Sequence, residues 1–430
     1  MPDYESRRLT GASFFCDEPA AIIDADIPLE RQEEVIRTWQ STVELLHRNL
    51  QRSIPKIGYR THEKGQSLYF TAPIDALYSA IELGELALQV ALDEVSSDSI
   101  AEHEKTLSKL FDEEARPDLL LLQQEALAHD VPFLWDDDFV SLGYGKASRT
   151  WGVDELPEIE TLDWNAFKKI PLAIITGTNG KSTTTRLCNQ ILKVTGHTVG
   201  FSSTDGIWAG EKCLDHGDYS GPGGAREVLR NQDIDAAILE VARGGLLRRG
   251  LGVAQADVAL ITNVAEDHLG EYGVNTLKEL VEAKFIVRKA VSGAGTLLLN
   301  ADDPGVVSFA DSLVQKIVWY SLDQNNAVIR SQIEAGNPAF FVKDGHICIS
   351  ENGTTTELCS IKEIPITIGG AAKHNVANAL AASALCRLLG VSVDCIRDGL
   401  TSFDGNRDNP GRGNLRQIGG VSVMVDFAHN

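Results

Sequence analysis

The residues from Ile174 to Thr183, Ile-Ile-Thr-Gly-Thr-Asn-Gly-Lys-Ser-Thr, set two glycines, a lysine and a hydroxyl between an apolar strand and a helix that opens with Thr183-Thr-Thr-Arg186. Backbone N–H groups in such a turn, together with the helix N-terminus, make a cradle for phosphate oxygens. Gly177 and Gly180 let the backbone approach a nucleotide, Lys181 reaches the β- and γ-phosphates, and the Ser182 hydroxyl is a ligand for Mg2+. Ile175 stands where the first glycine of the full G-x-x-x-x-G-K-[ST] spacing would be, so the loop is a variant of that pattern. Glu240 ends another apolar run, at the carboxyl edge of a sheet, where an oxygen ligand faces bound nucleotide.

The elements that must position these residues follow from periodicity. From Ile170 onward short apolar runs alternate with helical stretches: PLAIIT, DAAILEVA, DVALITNV, GTLLLN and KIVWYS. Near-continuous apolar runs of this kind fit parallel strands buried on both faces, and the expected class is α/β with a mostly parallel sheet. Residues 327–368 read as strand-and-turn, with Asp344-Gly345 and Asn352-Gly353 as hairpin turns. Residues 374–389 read as an alanine-rich helix stopped by Gly390.

Upstream the pattern differs. Helical spacing covers 28–52 and 73–96, a strand precedes the second helix at Ser67–Thr71, and 119–134 reads as strand, helix, strand. Residues 1–151 are therefore expected to form a smaller α+β domain, 152–169 an acidic, proline-interrupted linker, 170–410 the central domain, and 411–430 the start of another.

Lys and Arg total 39 against 61 Asp and Glu, a formal charge of −22. That argues against a nucleic-acid partner held by phosphate neutralisation and is compatible with small amino-acid or peptide substrates. The seven cysteines are scattered, without C-x-x-C or histidine at metal-ligand spacing, and read as reduced core residues. No secretory signal pattern and no apolar run of about 20 residues is present, so the expected location is cytoplasmic, without a membrane partner.

Gly-Thr-Asn-Gly-Lys-Ser resembles the phosphate loop of the Mur ligase superfamily. Ser203-Thr-Asp-Gly-Ile207, Gly217-Asp-Tyr-Ser-Gly-Pro222, Glu240–Gly250, Thr262–Gly270, Asn300-Ala-Asp-Asp-Pro304 and Asn409-Pro-Gly-Arg412 are similar to the cyanophycin synthetase versions of these segments. Gly65–Thr71 and Ser141–Lys146 resemble that family's N-terminal region, which there leads into an ATP-grasp domain. Only about twenty residues separate Lys146 from the next strand here, too few for that two-lobed module.

The resemblance implies an ATP- and Mg2+-dependent, ADP-forming acid–amino-acid ligase that works through an acyl phosphate. It implies nucleotide contacts by Gly177, Thr178, Asn179, Gly180, Lys181, Ser182, Thr183, Asn375, Arg412 and Asp426. The implied metal ligands are Ser182, Glu240, His268 and, if carbamylated, Lys284; the implied catalytic set is Lys181, Glu240, His268 and Arg412. Ser203, Thr204, Asp205, Asp218, Arg248 and Arg249 are the candidate acceptor contacts. The family continues into a further C-terminal domain, expected to be incomplete in this chain, and its members are commonly oligomeric, so a homo-oligomer is compatible. The alternatives are a non-catalytic nucleotide-binding partner or regulatory subunit, and a P-loop phosphotransferase.

Overall fold

A computed structural model describes residues 3–62, 65–96, 99–267, 269–291 and 293–427. The strand Leu172–Thr176 is buried along its whole length. Its side chains alternate between two cores: Leu172 and Ile174 pack on one face of the sheet, Ala173 and Ile175 on the other. A strand covered on both faces has no polar side to show, which explains its continuous apolar run. Each buried leucine or isoleucine of this strand contributes about 1.5–3 kcal/mol by leaving water.

Seven strands run parallel in the order Val199–Ser203, Ala236–Glu240, Leu172–Thr176, Val258–Ile261, Thr296–Asn300, Lys316–Ser321 and Ala339–Lys343. Antiparallel strands extend both edges: Gly206–Ala209 and Lys212–Asp215 on one side, His346–Glu351 and Thr354–Ser360 on the other. The expected antiparallel section is thus an extension of the main sheet. Its two turns have positive φ at Asp344, Gly345, Asn352 and Gly353, the type I′ geometry that suits strand twist.

After Leu172–Thr176 the chain crosses two places to Val199–Ser203, returns to fill the gap with Ala236–Glu240, and then builds outward on the opposite side. The strand order therefore reverses beside the phosphate loop, the place where open α/β sheets bind ligands. The helix Lys181–Val194 leaves that loop and packs on Lys373–Leu388 and Val393–Ser402.

Residues upstream form a separate layer. Tyr4–Leu9, Ala20–Ala25, Gly65–Thr71 and Ile57–His62 make a four-stranded antiparallel sheet in that order. Helices Gln32–Asn49 and Leu77–Ala91 cover it, with Trp39, Leu46, Phe70 and Leu83 fully buried between. The strand expected at 119–122 is corrected: Pro117–Ala128 is one helix, with Pro117 in its first turn, where a missing N–H costs nothing. Phe133–Trp135, Phe139–Leu142 and Arg149–Gly152 form a small three-stranded sheet. Residues 153–169 hold two short 3₁₀ turns and pack Trp164 and Phe167 onto this first layer, with Trp164 stacked on His129 at 4.6 Å.

The two layers are tied beside the cleft described below. The Thr10 amide donates to the Arg249 carbonyl at 2.8 Å and the Leu251 amide to the Ala12 carbonyl at 2.7 Å. Between them Gly11 passes so close that a Cβ there would stand 2.3 Å from the Leu251 carbonyl oxygen. Arg60 adds an ion pair to Glu279 at 2.5 Å. Among the described residues no helix is long and apolar enough to cross a membrane.

Candidate active site

The phosphate loop is held by the strand beside it. The Thr178 amide donates to the Asn263 carbonyl at 2.8 Å, the Asn179 amide to Asn263 Oδ1 at 3.0 Å, and the Thr262 hydroxyl to the Asn179 carbonyl at 2.7 Å. Thr178 Oγ1 donates to the Ala265 carbonyl at 3.1 Å. Both loop glycines are required by shape. Gly177 has φ +147°, and a Cβ there would meet Thr262 Oγ1 at 1.9 Å; Gly180 has φ +86°, and a Cβ there would meet Asn378 Oδ1 at 2.2 Å. Lys181 opens the following helix and folds back to donate to the Thr178 carbonyl at 3.0 Å.

Glu240 ends the neighbouring strand at 2% exposure, and neither carboxylate oxygen has a hydrogen-bond partner. Burial raises its pKa; Lys181, Ser182, Arg412 and the Thr204 amide oppose that shift, although Ser182 and Thr204 close no hydrogen bond onto it. An orphaned buried carboxylate is costly. Beside a serine hydroxyl and a phosphate cradle, it fits a hard cation that takes oxygen ligands. Among the described residues no three acidic, cysteine or histidine side chains gather at one point. His268 lies outside the described residues.

Lys284 ends the helix Leu277–Lys284 and is also 2% exposed. Burial, reinforced by Lys181 and Arg243 against an opposing Asp267, pushes its ammonium down to about 7. A buried lysine at that value is largely a neutral, nucleophilic amine just above neutral pH.

Lys181, Lys284, Thr204, Asp218, Arg248 and Arg249 line one cleft of about 680 Å³. Arg248 and Arg249 close a short helix on the wall shared with the first layer, with exposed side chains. Gly221–Gly224, at the start of the helix Pro222–Arg230, also open onto the cleft. Ser203 and Asp205 lie outside its lining. Ser203 is fully buried, with its hydroxyl accepting the Asp205 amide at 3.2 Å, because it sits inside a strand between two others. Asp205 turns instead to Arg186, at 2.7 Å.

Arg412 reaches the loop from the far end of the chain and donates to Thr204 Oγ1 at 3.2 Å. Thr183 is buried and accepts from Asn409 Nδ2 at 3.2 Å. Asn375 is buried, donates to the Ile366 carbonyl at 3.0 Å and accepts from Asn378 at 3.2 Å. Asp426 is exposed, next to Phe427, over whose ring the Arg412 guanidinium sits at 4.7 Å. Sequence reasoning missed Asn378, Thr262, Arg186 and Asn409. Arg186, Thr262 and Asn409 stand inside the motif segments quoted above without a candidate role, and Asn378 lies three residues from Asn375 on one helix face.

Residues 175–386 match the Mur ligase middle domain. The chain is 40% identical over 263 residues to a cyanophycin synthetase of Synechocystis sp., covering 61% of this chain and 30% of that protein. It is 39% identical over 267 residues to the cyanophycin synthetase of Geminocystis herdmanii, covering 62% and 30%. The UDP-N-acetylmuramoyl-L-alanyl-D-glutamate–2,6-diaminopimelate ligase of Bacillus velezensis is 28% identical over 273 residues, covering 61% and 52%. The chain thus spans about 30% of the length of the cyanophycin synthetases it matches. With its phosphate loop at the sheet's switch point and the family match running from that loop to the helix carrying Asn375, residues 175–386 of this chain form a Mur ligase middle domain.

Proposed function

We propose that the chain is an ATP-dependent carboxylate–amine ligase that activates a carboxylate as an acyl phosphate and passes the acyl group to an amine. The observation that carries this reading is Glu240: a buried carboxylate, both oxygens unpartnered, beside the hydroxyl of a phosphate-loop serine.

In the first step a substrate carboxylate oxygen attacks the γ-phosphorus and ADP leaves. In the second an amine attacks the acyl carbon, phosphate leaves with the C–O electron pair, and the amine's proton goes to solvent. The protein's task in phosphoryl transfer is positioning and charge neutralisation. The loop amides and Lys181 hold the phosphates, and Arg412 neutralises charge on the transferred group. Ser182, Glu240, His268 and a carbamylated Lys284 are the residues that would hold Mg2+, which offsets the charge of the phosphate oxygens. Arg248, Arg249 and the amides at Gly223 and Gly224 suit an acidic acceptor such as an aspartyl carboxylate, and Asp218 suits an incoming cationic amino acid.

The test is ADP release across a panel of acidic acceptors and amino acids, with amide formation followed by mass. Release that depends on both acceptor and amine is expected. A stable phosphorylated product would instead support a phosphotransferase, and tight ATP binding without turnover in any combination would support a non-catalytic nucleotide-binding subunit.

A further inference from the structure

Asp205 carries two arginines of unequal grip. Its Oδ2 accepts from Arg186 Nη2 at 2.7 Å, while its Oδ1 stands 3.6 Å from Arg412 Nη2. Arg186 is itself clamped: it is 7% exposed, and Nη1 donates to Asn409 Oδ1 at 3.1 Å. Asn409 is fully buried and turns its Nδ2 to Thr183 Oγ1 at 3.2 Å and to the Arg412 carbonyl at 3.4 Å. Helix Lys181–Val194 thereby fixes Asp205 through Arg186, and the backbone of Arg412 through Arg186 and Thr183 acting on Asn409. The Arg412 side chain rests on weaker contacts: the long pair to Asp205, a hydrogen bond to Thr204 Oγ1, an oxygen 3.2 Å from Ser182 Oγ, and the Phe427 ring 4.7 Å from its guanidinium.

We propose that Asp205 is a positioning residue that holds Arg412 at rest beside the phosphate loop, and that a γ-phosphate competes with Asp205 for this guanidinium. The inference rests on the nucleotide-site reading above. Arg186 stays on Asp205 when Arg412 leaves, so the carboxylate keeps a partner and the exchange leaves no buried charge alone. Asp205 thereby sets how strongly the chain distinguishes a triphosphate from a diphosphate.

Calorimetric titration with ADP and with the non-hydrolysable triphosphate AMPPNP, both with Mg2+, tests this without turnover. Asp205→Asn is expected to raise the AMPPNP:ADP affinity ratio by about fivefold, the upper worth of a half-exposed ion pair. Asp205→Glu, which keeps the charge, is expected to stay near the parent ratio. Adding Arg412→Gln to Asp205→Asn should abolish the gain. A purely structural role for Asp205 would move both affinities together and leave the ratio alone. An unchanged or lowered ratio in Asp205→Asn, or a gain that survives loss of Arg412, overturns the proposal while leaving the nucleotide site intact. Failure of the parent chain to bind either nucleotide sinks both.

Discussion

Replacing Glu240 by glutamine separates what this carboxylate costs the fold from what it gives the site. The side chain is 2% exposed, both oxygens lack partners, and burial outweighs the nearby cations in raising its pKa. An unsatisfied buried acceptor costs about 1–3 kcal/mol, and glutamine keeps the shape and part of that cost while removing the charge. The nucleotide-free Glu240→Gln variant should therefore be more stable than the parent by about 1 kcal/mol, a rise of about 2 °C in melting temperature for a chain of this size. Addition of Mg2+ and AMPPNP should stabilise the parent strongly and the variant little, since ligand stabilisation follows affinity. Differential scanning fluorimetry with and without the nucleotide reads both effects. A nucleotide-free variant less stable than the parent would show that Glu240 makes structural bonds, and an undiminished nucleotide shift would show that it holds no metal; either result refutes the reasoning.

Gly180→Ala puts a methyl 2.2 Å from Asn378 Oδ1 in a left-handed conformation; it should cost roughly 1–3 kcal/mol and weaken AMPPNP binding, and wild-type affinity in calorimetry would count against the cradle. Lys284 has a folded pKa of about 7, below that of an ordinary lysine. The unfolded chain then binds more protons between that value and the ordinary lysine range, so this group's contribution makes stability rise with pH through that window. Urea midpoints at pH 7 and 9 in carbon dioxide-free buffer should rise less in Lys284→Met than in the parent, and equal rises would reject the assignment. The same neutral amine should take up carbon dioxide, so bicarbonate should raise ligase turnover in the parent and not in Lys284→Met. Arg248→Gln and Arg249→Gln should each raise the KM for an acidic acceptor by about fivefold with kcat for ATP turnover little changed; a loss confined to kcat would remove them from acceptor binding.

Within this chain the local chemistry was legible because it is written in contiguous residues. The run from Ile174 to Thr183 encodes a strand that needs two cores, a turn that needs glycine at Gly177 and Gly180, and a helix N-terminus, all within ten positions. The apolar strands from Leu172 to Ser321 and the Asp344-Gly345 and Asn352-Gly353 turns were readable for the same reason. Leu119–Leu122 was misread because a four-residue apolar run fits a strand or a buried helix face equally, and only packing against the first layer decides.

What tertiary structure alone decided is which distant residues share the loop. Arg186, Asp205, Asn409 and Arg412 span more than two hundred positions, and no spacing rule joins them. Ser203 and Asp205 are two apart in sequence, yet strand pairing buries one and a turn swings the other to Arg186. The sequence determines each residue's chemistry and local conformation, because those depend on neighbours a few bonds away. The shared environment that orphans Glu240 and discharges Lys284 depends on which chain segments exclude water together, and that is a property of the folded sheet.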